Sequence, residues 1–173
     1  PEFEMPAHAL PFTRAFPEFM TKKAGGSHSY LIEEIDLSNE GATPWAQSIW
    51  NDYFEGEDPI FDEQMTVHIG TDEFHGVDGQ AGKEMFRKFS DDMIKFVQGK
   101  GRTVRMWGSL SNKSGETPVA SKDVQLNIWN TGYANPKAMY DLGYDLINTL
   151  EGPNYIVPAA GYYNDYINEE NNH

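Results

Sequence analysis

The stretch from Met65 to Trp107 constrains this chain more than any other. Met65 to Ile69 is a short apolar run that reads as a buried strand. Lys83 to Gln98 then carries apolar residues at helical spacing: Met85, Phe86, Phe89, Met93, Phe96 and Val97 fall on one face. Gly99 and Gly101 stop that helix, and Thr103-Val104-Arg105-Met106-Trp107 reads as the next strand. Strand, helix, strand is the unit that builds a parallel sheet.

The pattern repeats on both sides. Pro1 to Met5 reads as the end of a strand. Thr43 and Pro44 predict a helix start, with Thr as cap and Pro at the first position, running from Trp45 to about Phe54 and stopping at Gly56. Val124 to Trp129 and Tyr144 to Thr149 read as further strands. Asn135-Pro136 opens a helix between them that Gly143 closes. Tyr155 to Pro158 leads into an aromatic loop around Tyr162 and Tyr163. The 173 residues suffice for one domain with a core, and 39% hydrophobic and 13% aromatic content argue against disorder. No apolar run approaches a membrane span. A formal net charge of −14 repels nucleic acid and anionic membranes. The chain has no cysteine, which removes disulfides, thiolate nucleophiles and cysteine metal sites.

Chemistry concentrates at the predicted strand ends, where sites gather in α/β folds. Val67-His68-Ile69-Gly70-Thr71-Asp72-Glu73-Phe74-His75 places two adjacent carboxylates just past a strand. Where the chain leaves the strand, both acids can reach one pocket. Held in different environments, two carboxylates separate in pKa, which is the equipment for glycosidic bond cleavage. Trp107 and Trp129 fall at the ends of the next two strands. His68 reads as structural packing beneath the strand end. A metal site from His68, Asp72 and His75 is disfavoured, because no comparable ligand spacing accompanies it. Glu33-Glu34 and Asp91-Asp92 read as solvated faces.

These residues resemble glycoside hydrolase family 20, the β-N-acetylhexosaminidases. Pro1-Glu2-Phe3-Glu4-Met5-Pro6-Ala7-His8 is similar to the family's Pro-Glu-(Ile/Phe)-Asp-x-Pro-Gly-His segment after the third barrel strand. His68-Ile69-Gly70-Thr71-Asp72-Glu73 is similar to its His-x-Gly-Gly-Asp-Glu segment at the end of the fourth. Trp107 and Trp129 match its aromatic walls. Ile147-Asn148-Thr149 and Tyr155-Ile156-Val157-Pro158 resemble the seventh strand and loop of large bacterial surface members. The resemblance implies an incomplete (β/α)8 TIM barrel of the α/β class, from the end of strand three through strand seven and its loop. All of residues 1–173 would be one partial catalytic domain lacking strands one, two and eight, and inactive when isolated.

The same resemblance implies a glycosidase that removes terminal β-linked N-acetylhexosamine with the substrate's own acetamido group as nucleophile. Glu73 would be the general acid and then the base. Asp72 would orient the acetamido group and stabilise an oxazolinium-like cation. His8 would polarise Glu73, its usual Asp partner lying in the strand-two region. Trp107 and Trp129 would wall the sugar. Pro153 and Tyr155 stand where the family often has a Tyr and an Asp, so either the loop is re-registered or the acetamido contact comes from Tyr162 or Tyr163, with Tyr155 and Tyr162 as further substrate-binding candidates. Thr71 and Ala7 replace family glycines. No cofactor or metal is implied. The partners would be N-acetylhexosamine glycans outside the cell or at its surface. The alternatives are a disaccharide-releasing, lacto-N-biosidase-type variant and a remnant that binds glycans without turnover.

Overall fold

A computed structural model describes residues 1–21, 33–159 and 161. Five strands alternate with helices: β1 (Glu2–Met5), α1 (Leu10–Ala15), α2 (Ala42–Phe54), β2 (Thr66–Gly70), α3 (Gly79–Gly99), β3 (Thr103–Trp107), β4 (Val124–Ile128), α4 (Pro136–Asp141), β5 (Asp145–Asn148) and α5 (Glu151–Asn154). The strands form one sheet in chain order, every neighbouring pair parallel. That is the run of βα units from which a (β/α)8 barrel is made. Among the described residues β1 and β5 each pair on one side only.

Alternation along the strands sorts the two faces. Val67, Ile69, Val104, Met106, Val124 and Leu126 are fully buried and join one core with Phe86, Phe89, Met93, Ile94 and Val97 of α3. The other positions of the same strands carry His68, Arg105, Gln125 and Asn127, a polar inner face. There Arg105 donates to Gln125 Oε1 through Nε at 2.9 Å and a terminal nitrogen at 2.6 Å. Behind β1, Trp50 is fully buried, with the Phe3 ring 4.3 Å from its own, centroid to centroid. The buried Arg102 caps this layer. Its guanidinium donates to the carbonyls of Phe54, Phe61, Asp62 and Lys100 and lies 4.2 Å from the Phe54 ring centroid. A cation with that many acceptors is not left unsatisfied by burial.

Most elements follow the sequence reading, and the departures have local causes. The Asn135 side chain caps α4 by accepting from Ala138 N at 2.9 Å, with Pro136 at the first position. Helix α2, by contrast, begins at Ala42, and Thr43 makes no capping bond. Asn39 Oδ1 accepts from Gly41 N at 2.9 Å instead. Pro44 is tolerated in the first turn because its missing N–H would have had no intrahelical partner. Helix α3 starts at Gly79 rather than Lys83. A Cβ at Gly82 would lie 1.9 Å from the Val77 carbonyl oxygen, so only glycine lets this turn seat against the preceding loop. The six-residue α1 and four-residue α5 are too short to give a periodic signal.

Two acidic pairs expected on solvated faces are only half so. Glu34 is 1% exposed and accepts from His75 N at 2.8 Å. Asp91 is buried and accepts from Ala120 N at 3.0 Å and Lys95 Nζ at 2.5 Å. Each carboxylate closes a loop whose backbone N–H needs an acceptor, information that sequence spacing does not carry. Their neighbours behave as expected: Glu33 is half-buried, and Asp92 pairs with Lys88 across one helical turn at 2.6 Å.

Gly70 ends β2 at φ +78°, and a Cβ there would lie 2.6 Å from both Glu4 Oε1 and Met5 N. Gly70→Ala in the full-length protein is expected to cost about 3–5 kcal/mol, from overpacking plus a strained φ. Denaturant midpoints measure it.

Candidate active site

The carboxyl ends of all five strands open on one side of the sheet. His8 follows β1, Gly70 to His75 follow β2, Trp107 ends β3, Trp129 follows β4, and Thr149 to Tyr155 follow β5. Three residues in this region have left-handed backbone without being glycine: His8 at φ 50°, Thr71 at φ 77° and Glu73 at φ 40°. Such conformations cost on the order of 1–3 kcal/mol each and persist only where surrounding bonds fix them. Those bonds are present. Thr71 is fully buried, its N–H donates to Met5 O at 2.8 Å, and its hydroxyl donates to Gly70 O and to Trp107 O at 3.1 Å. Ser109 Oγ donates to Thr71 O at 2.9 Å. The turn therefore throws Asp72 and Glu73 out at one fixed angle.

Asp72, Glu73, Trp107, Trp129, Thr149, Glu151, Asn154 and Tyr155 line a cleft of about 520 Å³. The sequence reading had placed five of these together: Asp72, Glu73, Trp107, Trp129 and Tyr155. Tyr162 and Tyr163 lie outside the described residues. His8 stands beside the pair, Nε2 3.3 Å from Glu73 Oε2 and 3.9 Å from Asp72 Oδ2, and its Nδ1 is 4.0 Å from Glu33 Oε2. Tyr133 donates its hydroxyl to Glu73 Oε1 at 3.4 Å. Each carboxylate oxygen of Glu73 thus faces one donor group.

The two carboxylates do differ in environment. Burial pushes Asp72 up to about 6, with the Glu73 charge adding to the shift and His8 and the Trp129 indole opposing it. Asp72 Oδ1 and Trp129 Nε1 are both buried. Asp72 N–H donates to Glu4 Oε1 at 3.0 Å. Burial drives Glu4 up to about 9, so it is a neutral carboxylic acid at pH 7. Next to it, Glu2 Oε1 accepts from Trp107 Nε1 at 2.8 Å and lies 3.3 Å from His68 Nδ1. His68 is pushed down to about 4 by burial, so it is neutral, and its Nδ1 accepts from Gly70 N at 3.1 Å. It is a strut beneath the strand end, as its position in the sequence suggests.

The sequence gives no signal for Tyr133, Glu151 or Asn154, which stand in a loop and a short helix without a repeating pattern, and Thr149 is legible only as a strand end. Glu151 enters because its N–H donates to Trp129 O at 2.9 Å and its Oε1 accepts from Asn130 Nδ2 at 2.7 Å. His75 turns away from Asp72 toward Glu34, its Nδ1 3.7 Å from Glu34 Oε1. The set His68, Asp72, His75 therefore does not assemble. His8, Asp72 and Glu73 do have ligand atoms within 4.8 Å of one another, a spacing that would admit a cation. The same three side chains also have the spacing of a hydrogen-bonded acid–imidazole group.

Comparison with known proteins identifies the family and the fold. The model of the glycosyl hydrolase family 20 catalytic domain matches residues 1–172. Lacto-N-biosidase of Bifidobacterium bifidum is 24% identical over 97% of this chain, which corresponds to 17% of that protein. The pneumococcal virulence factor StrH superposes with TM-score 0.67 at 18% identity, over 88% of this chain and 41% of the other. The β-N-acetylhexosaminidase of Bacteroides fragilis superposes with TM-score 0.64 at 17% identity, over 95% of this chain and 34% of the other. The chain thus spans well under half the length of each of these relatives.

Proposed function

The chain belongs to glycosyl hydrolase family 20, and on that premise we propose that the protein releases terminal β-linked N-acetylhexosamine with retention of anomeric configuration. In this reading the sugar enters the cleft between Trp107 and Trp129, whose flat faces suit the apolar C–H face of a pyranose. The 2-acetamido oxygen attacks the anomeric carbon while Glu73 protonates the glycosidic oxygen, so the leaving group departs as a neutral alcohol. Positive charge then spreads over the oxazolinium ring. Asp72, ionised above about pH 6, stands where a fixed anion stabilises that charge in a half-buried site. Water next adds to the anomeric carbon, gives its proton to Glu73, and the ring opens to the acetamido sugar. His8, facing Glu73 Oε2 at 3.3 Å, assists both proton movements.

One observation carries the reading. Two adjacent carboxylates share a single aromatic-walled cleft, and one of them is raised by burial. The test is release of nitrophenol from 4-nitrophenyl N-acetyl-β-glucosaminide by the full-length protein. Turnover is expected, and glycan binding without turnover would leave only a binding remnant. The similarity to lacto-N-biosidase keeps disaccharide release as a variant of the same chemistry, read out by supplying the matching aryl disaccharide. The family resemblance supports an extracellular or cell-surface location. Among the described residues no helix is long and apolar enough to cross a membrane.

If Asp72 must be ionised, kcat/KM should fall as pH drops through about 6. A pH–rate profile with its acidic limb near 6, absent in Asp72→Asn, is the expected result.

A further inference from the structure

Between β3 and β4, where a βα unit ordinarily carries a helix, residues 108–123 form neither helix nor strand. Backbone laid out in this way needs other partners for its N–H and C=O groups. One side of α3 supplies them, through polar residues at helical spacing. Glu84 accepts from Glu116 N at 2.9 Å and from Thr117 N at 2.8 Å. Arg87 donates to Thr117 O at 2.6 Å and to Lys113 O at 3.2 Å. Further along the helix, Asp91 accepts from Ala120 N at 3.0 Å and Gln98 donates to Lys122 O at 2.8 Å. The Thr117 side chain first, then the Glu116 and Thr117 N–H groups, hold the Glu84 carboxyl down to about 2, so this clamp stays charged.

The clamped segment leads to the turn that carries the acids. Arg87 holds Lys113 O, Lys113 N donates to Ser109 O at 2.9 Å, and the fully buried Ser109 donates through Oγ to Thr71 O at 2.9 Å. That carbonyl belongs to the peptide joining Thr71 to Asp72, and Thr71 stands at φ 77°. A strained residue keeps its conformation only while its bonds hold it. We propose that residues 108–123 are a strap, clamped to α3 by Glu84 and Arg87, that positions Asp72 and Glu73 through Ser109. Ser109 is a positioning residue, acting through the Thr71 carbonyl and not from the cleft wall. The inference rests on the glycosidase reading above.

Gly115 offers a way to open the clamp with both of its side chains still present. A Cβ there would collide with the Glu84 carboxylate and lie 2.9 Å from Arg87 Cδ. Both side chains are flexible and lie outside the buried core, so Gly115→Ala should displace them and leave the core packed.

The test uses the full-length protein with 4-nitrophenyl N-acetyl-β-glucosaminide. Ser109→Ala should lower kcat by about 10- to 100-fold and Arg87→Ala by about tenfold, with KM changed by about twofold or less, because the acids move while the Trp107 and Trp129 walls stay. The double variant should be no slower than Ser109→Ala alone, since both changes act along one chain of bonds. Gly115→Ala should match Arg87→Ala, and it takes that variant's place if Arg87→Ala does not fold. Amide hydrogen exchange at Thr71 and Asp72, whose N–H groups bond to Met5 O and Glu4 Oε1, needs no turnover and should quicken about tenfold in each variant. Unchanged kcat in Ser109→Ala, losses that multiply in the double variant, or unchanged exchange at Thr71 and Asp72 would overturn the proposal. Absence of turnover in the unsubstituted protein would strike the glycosidase reading instead, and the exchange rates would then decide on the strap.

Discussion

Glu73→Gln is expected to lower kcat/KM of the full-length protein on a disaccharide by about 10²–10⁴-fold, the range that a positioned general acid supplies. The amide keeps the shape of the side chain and can still accept from the Tyr133 hydroxyl, so the cleft should remain folded. What it loses is the transferable proton. The loss should therefore depend on the leaving group. A dinitrophenyl glycoside, which departs as a stable anion, should form the oxazolinium species nearly as fast as before. It should then stall, because no base activates water. Added azide needs no such base and should restore turnover as the β-glycosyl azide. Parallel kinetics on the two substrates, with and without azide, check each part. A variant that kept full activity on the disaccharide would remove Glu73 from the acid role.

Asp72→Asn should act in two opposite directions. Activity should fall by about 10²–10³-fold on every substrate, irrespective of leaving group, because the anion opposite the developing cation is gone. Stability should rise. Burial is the main cause of the raised Asp72 pKa, so the ionised group is a liability to the fold. An acid whose folded pKa lies above its unfolded value costs nothing below the unfolded value of 3.8. The cost grows as pH rises between the two values and is complete above about 6. The amide carries no charge to desolvate, so at pH 7 the variant should gain about 1–2 kcal/mol, with the gain vanishing toward pH 4. Melting temperatures of both proteins at pH 4 and pH 7.5 measure this. A site that sacrifices stability to hold a charge is behaving as functional sites do.

How far the sequence revealed this is clearest from particular residues. The β2–α3–β3 unit was legible because a period of 3.6 between two short apolar runs has one economical solution. Its helix start was not, because the turn at Gly82 depends on the Val77 carbonyl, a tertiary contact. Asp72, Glu73, Trp107 and Trp129 could be expected near one another because each sits at a strand end, and His8 joins them only through the family resemblance. Their chemical roles remain the proposal made above. Tyr133 was not legible: it reaches Glu73 across 60 positions of sequence through a loop of no regular structure. Glu34 illustrates the same limit. Its sequence context is that of a surface acid, and only the fold shows it buried beneath His75. Glu4 lay within a motif, yet its neutral state comes from burial beside Glu2 and Asp72, which spacing alone does not foretell.

Thr71 shows how one substitution is accommodated. The resembling motif has glycine there, and φ 77° explains why. Its hydroxyl bonds to Gly70 O and Trp107 O tie the end of β2 to the end of β3. The strain and the bonds together fix the orientation of the following two acids.

The proposed mechanism makes the substrate's acetamido group the nucleophile, served by Asp72 and Glu73. It is tested most directly by kcat/KM of the full-length protein on aryl N-acyl-β-glucosaminides whose acyl group carries none, one, two or three fluorines. Each fluorine withdraws electrons from the amide oxygen and weakens it as a nucleophile. A steep monotonic fall across the series is expected. A flat series would contradict it and return the bond-breaking step to an enzyme carboxylate or to water.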